Sequence, residues 1–270
     1  MDLKIFCMTA KRLNVLEKLP SYITPFGLGN SEYPNNWLSE KTGENISHLN
    51  KFYGELSGMY WLWKNYINKI NDYKWIGFCQ YRRLWLNELY NSKQKLNPSS
   101  LYSNLLKPNN NIFSSTEAIL LQPTIITRQN LREQFDTLYG KNILNECLEY
   151  LDNKNKDDFK KYLEGNKMSI CNMFITKPQI FNSYCGDMFN WIDKCFNYCN
   201  KKDLLKNGNT RLPAFMIERF TSFWFEKYTQ TNYLSFARLG NFFLSKNINK
   251  FINPLKIPLT FRMYPTIHRY

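Results

Sequence analysis

The chain has 270 residues, of which 43% are hydrophobic and 17% aromatic, and a formal net charge of +14 at pH 7. A chain of this length can bury a substantial core, and this composition excludes intrinsic disorder. No run approaches the roughly 18 apolar residues of a membrane span, and the first residues do not resemble a signal peptide, so we expect a cytoplasmic protein.

The first predicted elements are a strand, a long loop, a helix and a second strand. Residues 3–9 form an apolar strand pattern, whereas residues 14–42 are rich in Pro, Gly, Asn and Ser and predict a loop. Ser47 suits the N-cap of an amphipathic helix that begins near His48. Residues 75–81 then predict a short buried strand.

The second half of the chain continues this alternation. Residues 87–112 are polar and predict an insertion or a mobile loop. Beyond them the patterns predict strands at 118–126 and 169–177, and helices at 142–151, 157–165, 178–200 and 211–228. Strands separated by helices indicate an α/β fold with a central, mostly parallel sheet.

The seven cysteines and the positive charge indicate which metals and partners to expect, but they do not choose a single function. Seven is an odd number, no CxxC pair occurs and the chain has two histidines, so we expect reduced, packed thiols rather than a zinc site. The charge favours nucleic acid, anionic lipid or phosphorylated substrates as partners. Because lysines in Asn-rich loops are ordinarily just solvated, charge alone does not choose among these partners.

Ligands of α/β folds bind beyond the carboxyl ends of the strands, and this rule selects candidate residues. Adjacent Arg82 and Arg83 suit a diphosphate, because guanidinium groups match phosphate oxygens bidentately. The alternative is that both arginines merely mark where the chain returns to solvent. The residues that the rule selects are Thr9, Lys11, Arg12, Gln80, Tyr81, Arg82, Arg83, Gln122, Thr176 and Lys177, with Asn172 and Met173 inside their strand.

The predicted helix near His48 offers a second set of candidates. Ser57, Trp61 and Lys64 form a ridge at i, i+4 and i+7 that lies off the apolar stripe, and Glu55 lies on the opposite flank. A hydroxyl, an indole and an ammonium group suit stacking on a sugar or base and contact with a phosphate. Alternatively, Trp61 packs against a neighbouring loop.

Five ordered sequence blocks together resemble a known family. The chain resembles a bacterial family of capsule and O-antigen gene clusters, long catalogued as a domain of unknown function and associated with glycosyltransferase activity, including galactofuranosyl transfer. The similarity runs from about residue 3 to residue 230. The blocks that carry it are TGENIS, ELSGMYWLWKN, WIGFCQYRR, CNMFI and FMIERF.

The chain departs from the family pattern in three places. Gln80 stands where the family usually has histidine, and it can replace that residue as a hydrogen-bonding group but not as an acid, a base or a metal ligand. Ser57 stands where threonine is common, which keeps the hydroxyl. The histidine-rich loop that many members carry in the middle of the chain is absent, because no histidine lies between His48 and His268, so we expect no metal or substrate contacts from such a loop.

The resemblance implies a GT-A-like, Rossmann-like fold that binds a nucleotide sugar. Enzymes of this type usually hold Mg²⁺ or Mn²⁺ with an Asp-x-Asp motif, which this sequence lacks. Lys11, Arg82 and Arg83 could neutralise the leaving diphosphate instead, although a single carboxylate with substrate phosphates can still hold Mg²⁺. We expect donor and nucleotide contacts at Thr9, Lys11, Arg12, Ser57, Trp61, Lys64, Gln80, Tyr81, Arg82 and Arg83.

Glycosyl transfer with inversion also requires a base for the acceptor hydroxyl. Glu218 and Glu55 are the carboxylates inside the matching blocks, and a perturbed pKa would distinguish the base. For Glu218 the alternative is a surface pair with Arg219. We expect acceptor contacts at Asn172, Met173 and Arg219.

The sequence divides into a glycosyltransferase domain at 1–235 and a basic, aromatic extension at 236–270. That extension either closes the domain or docks on anionic lipid at the inner face of the membrane. We predict a hexosyltransferase that passes a sugar from a nucleotide sugar to a capsular or lipopolysaccharide glycan, and the family resemblance implies a UDP-linked donor. The alternatives are a nucleic-acid-binding module and a non-catalytic membrane scaffold. If the protein is a transferase, we expect no nucleic acid among its partners.

Overall fold

The computed structural model describes residues 2–89, 101–206 and 209–238. Its strands are β1 (Leu3–Thr9), β2 (Ile23–Gly27), β3 (Leu38–Ser39), β4 (Trp75–Gln80), β5 (Arg83–Trp85), β6 (Ala118–Leu121), β7 (Thr124–Ile125), β8 (Lys167–Met168), β9 (Phe174–Thr176), β10 (Thr231–Leu234) and β11 (Phe236–Arg238). Its α-helices are α1 (Asn50–Tyr53), α2 (Glu55–Asn65), α3 (Ile67–Ile70), α4 (Leu101–Asn104), α5 (Leu131–Tyr139), α6 (Ile143–Leu148), α7 (Asn153–Leu163), α8 (Pro178–Lys201) and α9 (Leu212–Tyr228).

One sheet organises the fold, with its main row in the order β10-β6-β9-β4-β1-β2-β3. The pairs β1–β2, β1–β4, β2–β3 and β6–β10 are parallel, whereas β9 is antiparallel to both β4 and β6. All strands of this row except β9 therefore point the same way. This confirms the predicted α/β fold with a central, mostly parallel sheet flanked by helices.

Apolar side chains cover both faces of the sheet. Alternate residues of β1 point to opposite faces, so Phe6 and Met8 join one buried cluster while Ile5 and Cys7 join the other. Helices α2, α8 and α9 supply much of the first cluster, and the second includes Trp85. All seven cysteines are buried free thiols, as predicted.

Several predicted elements are confirmed, and others are wrong in instructive ways. Strands β1 and β4 and helices α8 and α9 occur where their patterns indicate. The segment predicted as a loop at 14–42 contains the short strands β2 and β3. The Pro, Gly and Asn residues around these strands hide their pattern in the sequence. Part of the predicted loop at 87–112, residues 90–100, lies outside the described ranges.

The helix predicted from His48 is interrupted at Gly54. Ser47 lies within a short 3-10 helix, and its hydroxyl donates to Asn45 rather than capping the helix, so the predicted N-cap is wrong. Gly54 has φ 55° and ψ −129°, which ends α1 and lets α2 begin in a new direction. The position of Glu55 depends on this break.

Strand β9 is shorter than predicted, and its direction changes which residues face the ligand edge. Asn172 and Met173 precede β9 instead of lying inside it. Because β9 is antiparallel to β4, Asn172 lies near the carboxyl end of β4, and Lys177 lies at the opposite edge beside Trp75. The selection of Thr176 and Lys177 as ligand-edge residues is therefore wrong. No helix in the described ranges is long and apolar enough to cross a membrane.

Candidate active site

The candidate site lies where the carboxyl ends of β1 and β4 meet the start of β9. Two helices contribute carboxylates to this edge: α2 begins with Glu55, and α9 carries Glu218. The site therefore combines the ligand edge of the sheet with the start of a helix and one turn of another. The parallel strands β1 and β4 contribute their ends to the site, and the antiparallel strand β9 contributes its start, because β9 runs in the reverse direction.

Glu55 is the centre of a buried hydrogen-bond network. Its Oε1 accepts from Asn172 Nδ2 at 3.0 Å and from Gln80 Nε2 at 3.4 Å. Its Oε2 accepts from Arg211 Nη2 at 2.8 Å. These contacts join α2, the end of β4, the segment before β9 and the residue before α9. Both oxygens of Glu55 are thus engaged by side-chain donors.

Gly54 permits this arrangement in two ways. Its positive φ is a conformation that residues with a Cβ rarely adopt. A Cβ at this position would also lie 2.2 Å from Arg211 Nη2. Only glycine therefore allows Arg211 to reach Glu55 across the start of α2.

Glu218 is held by the backbone beside this network. The N–H of Cys171 donates to Glu218 Oε1 at 3.0 Å. Burial raises the pKa of Glu218 above its ordinary value, and the nearby negative charge of Glu55 raises it further. A carboxyl with a raised pKa in a ligand-edge cluster has the property expected of a general base.

The segment that presents these groups has an unusual backbone. Cys171 and Asn172 have φ values of 78° and 46°, two consecutive left-handed residues without glycine. Asn172 Oδ1 accepts from Thr221 Oγ1 at 3.2 Å, and the hydroxyls of Thr221 and Tyr184 lie 2.7 Å apart. Buried contacts thus hold a conformation that costs energy, a feature concentrated at functional sites.

Gln80 connects the carboxylates to an arginine. Its Nε2 donates to the Cys171 carbonyl at 2.9 Å, and its Oε1 accepts from Arg83 Nη1. This use of both amide ends agrees with the expectation that Gln80 serves as a hydrogen-bonding group. Arg82 lies in the turn between β4 and β5, with its guanidinium carbon 5.1 Å from the centre of the Tyr81 ring.

Residues 4–230 match the family described as a domain of unknown function, DUF4422. The chain belongs to this family. No curated protein matches it. Among solved structures, it is similar to the apo form of the bifunctional glycosyltransferase WbbM, with a TM-score of 0.71 and 18% identity, over 89% of this chain and 46% of that one. The likeness is one of fold, and this chain spans less than half of that protein.

In this DUF4422 protein, two of the three residues of the predicted ridge on α2 are buried. Ser57 is fully buried, and Trp61 packs on Phe26, with its indole N–H donating to the Thr42 carbonyl. The alternative that Trp61 packs against a neighbouring loop is correct. Lys64 lies near the C-terminal end of α2, at the opposite end from Glu55, and pairs with Glu44 at 3.8 Å. Ser57 and Trp61 thus serve the packing of α2, and donor contacts at Ser57, Trp61 and Lys64 stay a prediction.

Ser57 and Trp61 are buried because α2 is covered on two sides, by the sheet and by α8. Gly58 brings one side of α2 against the sheet, where a Cβ would lie 2.6 Å from Leu28. The aromatic stripe packs instead on α8, where the rings of Trp63 and Phe189 stack at 5.6 Å. A helical wheel with one core stripe could not predict a helix enclosed on two sides.

Two of the predicted acceptor residues are also buried structural residues. Arg219 is fully inside the core, where its guanidinium carbon lies 4.9 Å from the centre of the Phe135 ring and Nη1 donates to the Phe215 carbonyl at 3.0 Å. Met173 is buried in the second apolar cluster. Both side chains are buried in this structure, and their acceptor contacts stay a prediction. The surface pair proposed for Glu218 and Arg219 is wrong.

The first strand ends in a compact turn at the same edge. Thr9 is buried, and its hydroxyl accepts from the Lys11 N–H at 3.0 Å and donates to the Lys11 carbonyl at 2.7 Å. Lys11 and Arg12 are exposed, and Arg12 lies 4.0 Å from Glu17. Lys11 and Arg12 thus follow the carboxyl end of β1 as predicted, whereas Thr9 shapes the turn.

Sequence reasoning missed Arg211, Thr221 and Glu40. Glu40 is fully buried behind the start of α2 and accepts from the Gly29 N–H. Burial raises its pKa, and hydrogen bonds from Gly29 and Ser57 oppose that shift. Arg211 had one available signal, a lone cation immediately before a helix with Pro213 in its first turn. The contacts that join Arg211 to Glu55 and Thr221 to Asn172 span 156 and 49 residues, so no local sequence pattern reveals them.

The fold family often holds a divalent metal, so we tested whether the described residues fit one. Glu55 already accepts three hydrogen bonds from Arg211, Asn172 and Gln80. The described ranges contain no group of three or more His, Cys, Asp or Glu arranged for a metal ion. The described residues alone therefore supply fewer free oxygen ligands than Mg²⁺ or Mn²⁺ takes, so a metal here would also need oxygens from the substrate phosphates.

Proposed function

We propose that this DUF4422 protein is a glycosyltransferase that passes a sugar from a nucleotide sugar to a growing capsular polysaccharide or lipopolysaccharide glycan. We propose a UDP-linked donor, with galactofuranose as one candidate sugar, and an inverting outcome. The observation that carries this proposal is the pairing of Glu218, whose pKa is raised, with an arginine-bearing network at the ligand edge of a fold shared with a glycosyltransferase.

Glu218 is the proposed base. Its carboxylate would take the proton of the acceptor hydroxyl as that oxygen bonds to the anomeric carbon and the bond to the nucleoside diphosphate breaks. The sugar is thereby transferred, and the diphosphate leaves with the bonding electron pair. Because the Cys171 N–H holds one oxygen of Glu218, the carboxylate keeps a fixed direction. Fixed direction is what a base needs to meet a bound hydroxyl.

Glu55, the other candidate base, suits a positioning role better. Three side-chain donors occupy its oxygens, so a proton from an acceptor would have to displace one of them. Through those donors Glu55 fixes Gln80 and Asn172 at the edge. Asn172 remains a proposed contact for a sugar hydroxyl, because an amide both donates and accepts.

The leaving diphosphate needs cations near the network. Arg83 is bound to Gln80 within it, and Arg82 and Lys11 flank it at the ends of β4 and β1. Fixed guanidinium groups stabilise charge that develops on a leaving phosphate. We propose these residues as donor contacts, together with Tyr81 and Arg12. The proposed membrane contact falls mostly on residues 239–270, which lie outside the described ranges.

The test is product analysis by mass spectrometry with full-length protein, a panel of UDP-sugars and a lipid-linked glycan acceptor, with and without EDTA. We expect one UDP-sugar to yield product, and NMR of the product to give an inverted anomeric configuration. Activity that survives EDTA would support cationic side chains as the neutralising groups. No transfer from any nucleotide sugar to any glycan acceptor would contradict the proposed function.

The role of Glu218 has a matched control on the same helix. We expect Glu218→Gln to lower kcat by about 100-fold or more, the usual contribution of a general base. Glu226→Gln, two turns further along α9, should leave kcat unchanged, because Glu226 contacts Tyr233 instead of the ligand edge. The wild-type rate should rise as pH increases through the elevated pKa of Glu218, since the base acts when deprotonated. Equal rates for the two variants would refute this assignment.

A further inference from the structure

Buried hydroxyl groups connect the core of the protein to the turn that precedes β9. The hydroxyls of Tyr184 on α8 and Thr221 on α9 lie 2.7 Å apart, and Thr221 Oγ1 lies 3.2 Å from Asn172 Oδ1. Tyr184 is fully buried, and Thr221 and Asn172 are each only 3% exposed. Because polar groups in such positions need hydrogen-bond partners, the orientation of each group restricts the next one.

The amide of Asn172 has one orientation that satisfies its surroundings. Asn172 Nδ2 lies 3.0 Å from Glu55 Oε1 and 3.4 Å from the Ala214 carbonyl. A carboxylate and a carbonyl oxygen only accept hydrogen bonds, so the NH2 group of the amide must face them. Asn172 Oδ1 therefore faces Thr221, and this oxygen can only accept.

The hydroxyl protons of this chain consequently point from the core to the site. Thr221 has one hydroxyl proton and two acceptors for it, Asn172 Oδ1 and the Ile217 carbonyl at 2.7 Å. Because that proton is directed to these acceptors, Tyr184 is the donor in its contact with Thr221. Thr221 thus receives a hydrogen bond from the core and shares its own proton between α9 and the turn.

Helix α9 carries both the proposed base and an anchor for the turn that positions it. Thr221 lies three residues after Glu218, so the two side chains are neighbours on one side of the helix. Thr221 donates to the Asn172 side chain, and Glu218 accepts from the Cys171 N–H at 3.0 Å. Cys171 and Asn172 have φ values of 78° and 46°, a conformation that persists only where the surroundings hold it. The hydroxyl of Thr221 is thus placed to stabilise the turn that directs Glu218.

We propose that Thr221, oriented by Tyr184, is a positioning residue that holds the turn at Cys171 and Asn172 and thereby directs the carboxylate of Glu218. This inference rests on the proposed function, in which Glu218 is the base. It assigns a catalytic consequence to two hydroxyls of the core. The Cys171 N–H lowers the pKa of Glu218 against the effect of burial, so a loosened turn would raise that pKa further.

The test compares Thr221→Val, which keeps the shape of the side chain without its hydroxyl, with Thr221→Ser, which keeps the hydroxyl. Carbon-13 NMR of the full chain with labelled glutamate carboxyls gives the pKa of Glu218, and Glu218→Gln assigns its signal. We expect Thr221→Val to raise this pKa and Thr221→Ser to keep the wild-type value. In the transfer assay, Thr221→Val should move the rising limb of the pH profile to higher pH. It should also lower kcat about tenfold or more, because a displaced base is poorly aligned with the acceptor hydroxyl.

Thr229→Val is the matched control on the same helix. Thr229 Oγ1 donates to the Phe225 carbonyl at 2.8 Å and lies 2.7 Å from Thr231 Oγ1, so it makes the same kinds of contact as Thr221. It lies at the C-terminal end of α9, away from the turn before β9. We expect Thr229→Val to leave kcat and the pKa of Glu218 at their wild-type values, even where it lowers the unfolding temperature.

Each outcome distinguishes positioning from packing. A folded Thr221→Val with the wild-type pKa of Glu218 would overturn the proposal even if kcat falls, because the hydroxyl would then affect stability alone. The proposal also fails if Thr221→Ser behaves like Thr221→Val. If Thr221→Val does not fold, Tyr184→Phe carries the test, with the same upward shift expected and an unchanged pKa of Glu218 again overturning the proposal. A wild-type protein that transfers no sugar rejects the proposed function, whereas the NMR titration still tests the positioning of Glu218.

Discussion

The ion pair between Glu55 and Arg211 gives the sharpest test of the site's construction. Its atoms lie 2.8 Å apart, and the side chains are 9% exposed for Glu55 and 46% exposed for Arg211. Removing one partner of a fully buried pair costs about 3–5 kcal/mol, but solvent near Arg211 reduces this value. We therefore expect Arg211→Gln to lower the free energy of unfolding by about 1.5–2 kcal/mol, close to the value of one hydrogen bond to a charged group.

A double-mutant cycle isolates the pair from other effects of each substitution. Urea unfolding of the wild type, Arg211→Gln, Glu55→Gln and the double variant should give a coupling energy of about 1–2 kcal/mol. The pair between Lys206 and Asp203 is the control, because its atoms lie at 2.7 Å but both side chains are 67% exposed. Its coupling should be about 0.5 kcal/mol or less.

The same variants report on catalysis. Because Glu55 orients Gln80 and Asn172, Arg211→Gln should reduce kcat. The rising limb of the pH profile that Glu218 sets should persist and move to higher pH, because the charge of Arg211 lowers the pKa of Glu218. A base would behave differently, since its removal abolishes the rising limb of the pH profile. The reasoning is refuted if the cycle gives the same coupling for the buried and the exposed pair, because burial is then irrelevant to the strength of the contact.

Two further predictions concern Glu40, which packs near the start of α2, and Gly54, which immediately precedes α2. Since burial raises the pKa of Glu40 above its unfolded value, its contribution to stability is complete below the unfolded pKa and is lost as pH rises through the folded pKa. In urea unfolding, Glu40→Gln should therefore gain stability relative to the wild type as pH rises above the unfolded pKa of Glu40, and a difference that does not change with pH would contradict this. Gly54→Ala should lose about 2 kcal/mol, because it strains a positive φ and displaces Arg211. Gly186→Ala, in the middle of α8 with open space around it, should instead gain up to about 1 kcal/mol in the same assay, and equal effects would refute the steric argument.

The parts of the fold that sequence predicted well are those with strong local patterns. Strand β1 is apolar along its length, and α8 begins at Pro178 and follows a long helical period. Strands β2 and β3 were missed because they are short and lie among turn-forming residues. The reversal at β9 was not predictable, because strand direction depends on neighbours far away in the chain and leaves no period in the sequence.

The candidate site was predictable to the extent that its residues follow strand ends. Gln80 and Arg83 were selected in this way, and Glu55 and Glu218 were selected from the family blocks. Arg211 was missed because its partner Glu55 lies 156 positions away in the sequence. Trp61 misled because an aromatic residue off the main stripe looks exposed on a wheel, whereas Gly58 lets that side of α2 meet the sheet.

The reversal at β9 also explains why the two carboxylates can have different roles. An incoming antiparallel strand delivers its preceding residues to the ligand edge, so Cys171 and Asn172 arrive between Glu55 and Glu218. Asn172 donates a side-chain N–H to Glu55, and Cys171 donates a backbone N–H to Glu218. The positive charge of Arg211 also pairs with Glu55, whereas the pKa of Glu218 is raised by burial and by the negative charge of Glu55. One strand reversal thus creates an unequal pair, which is the condition that the proposed roles require: a positioning role for Glu55 and proton exchange for Glu218.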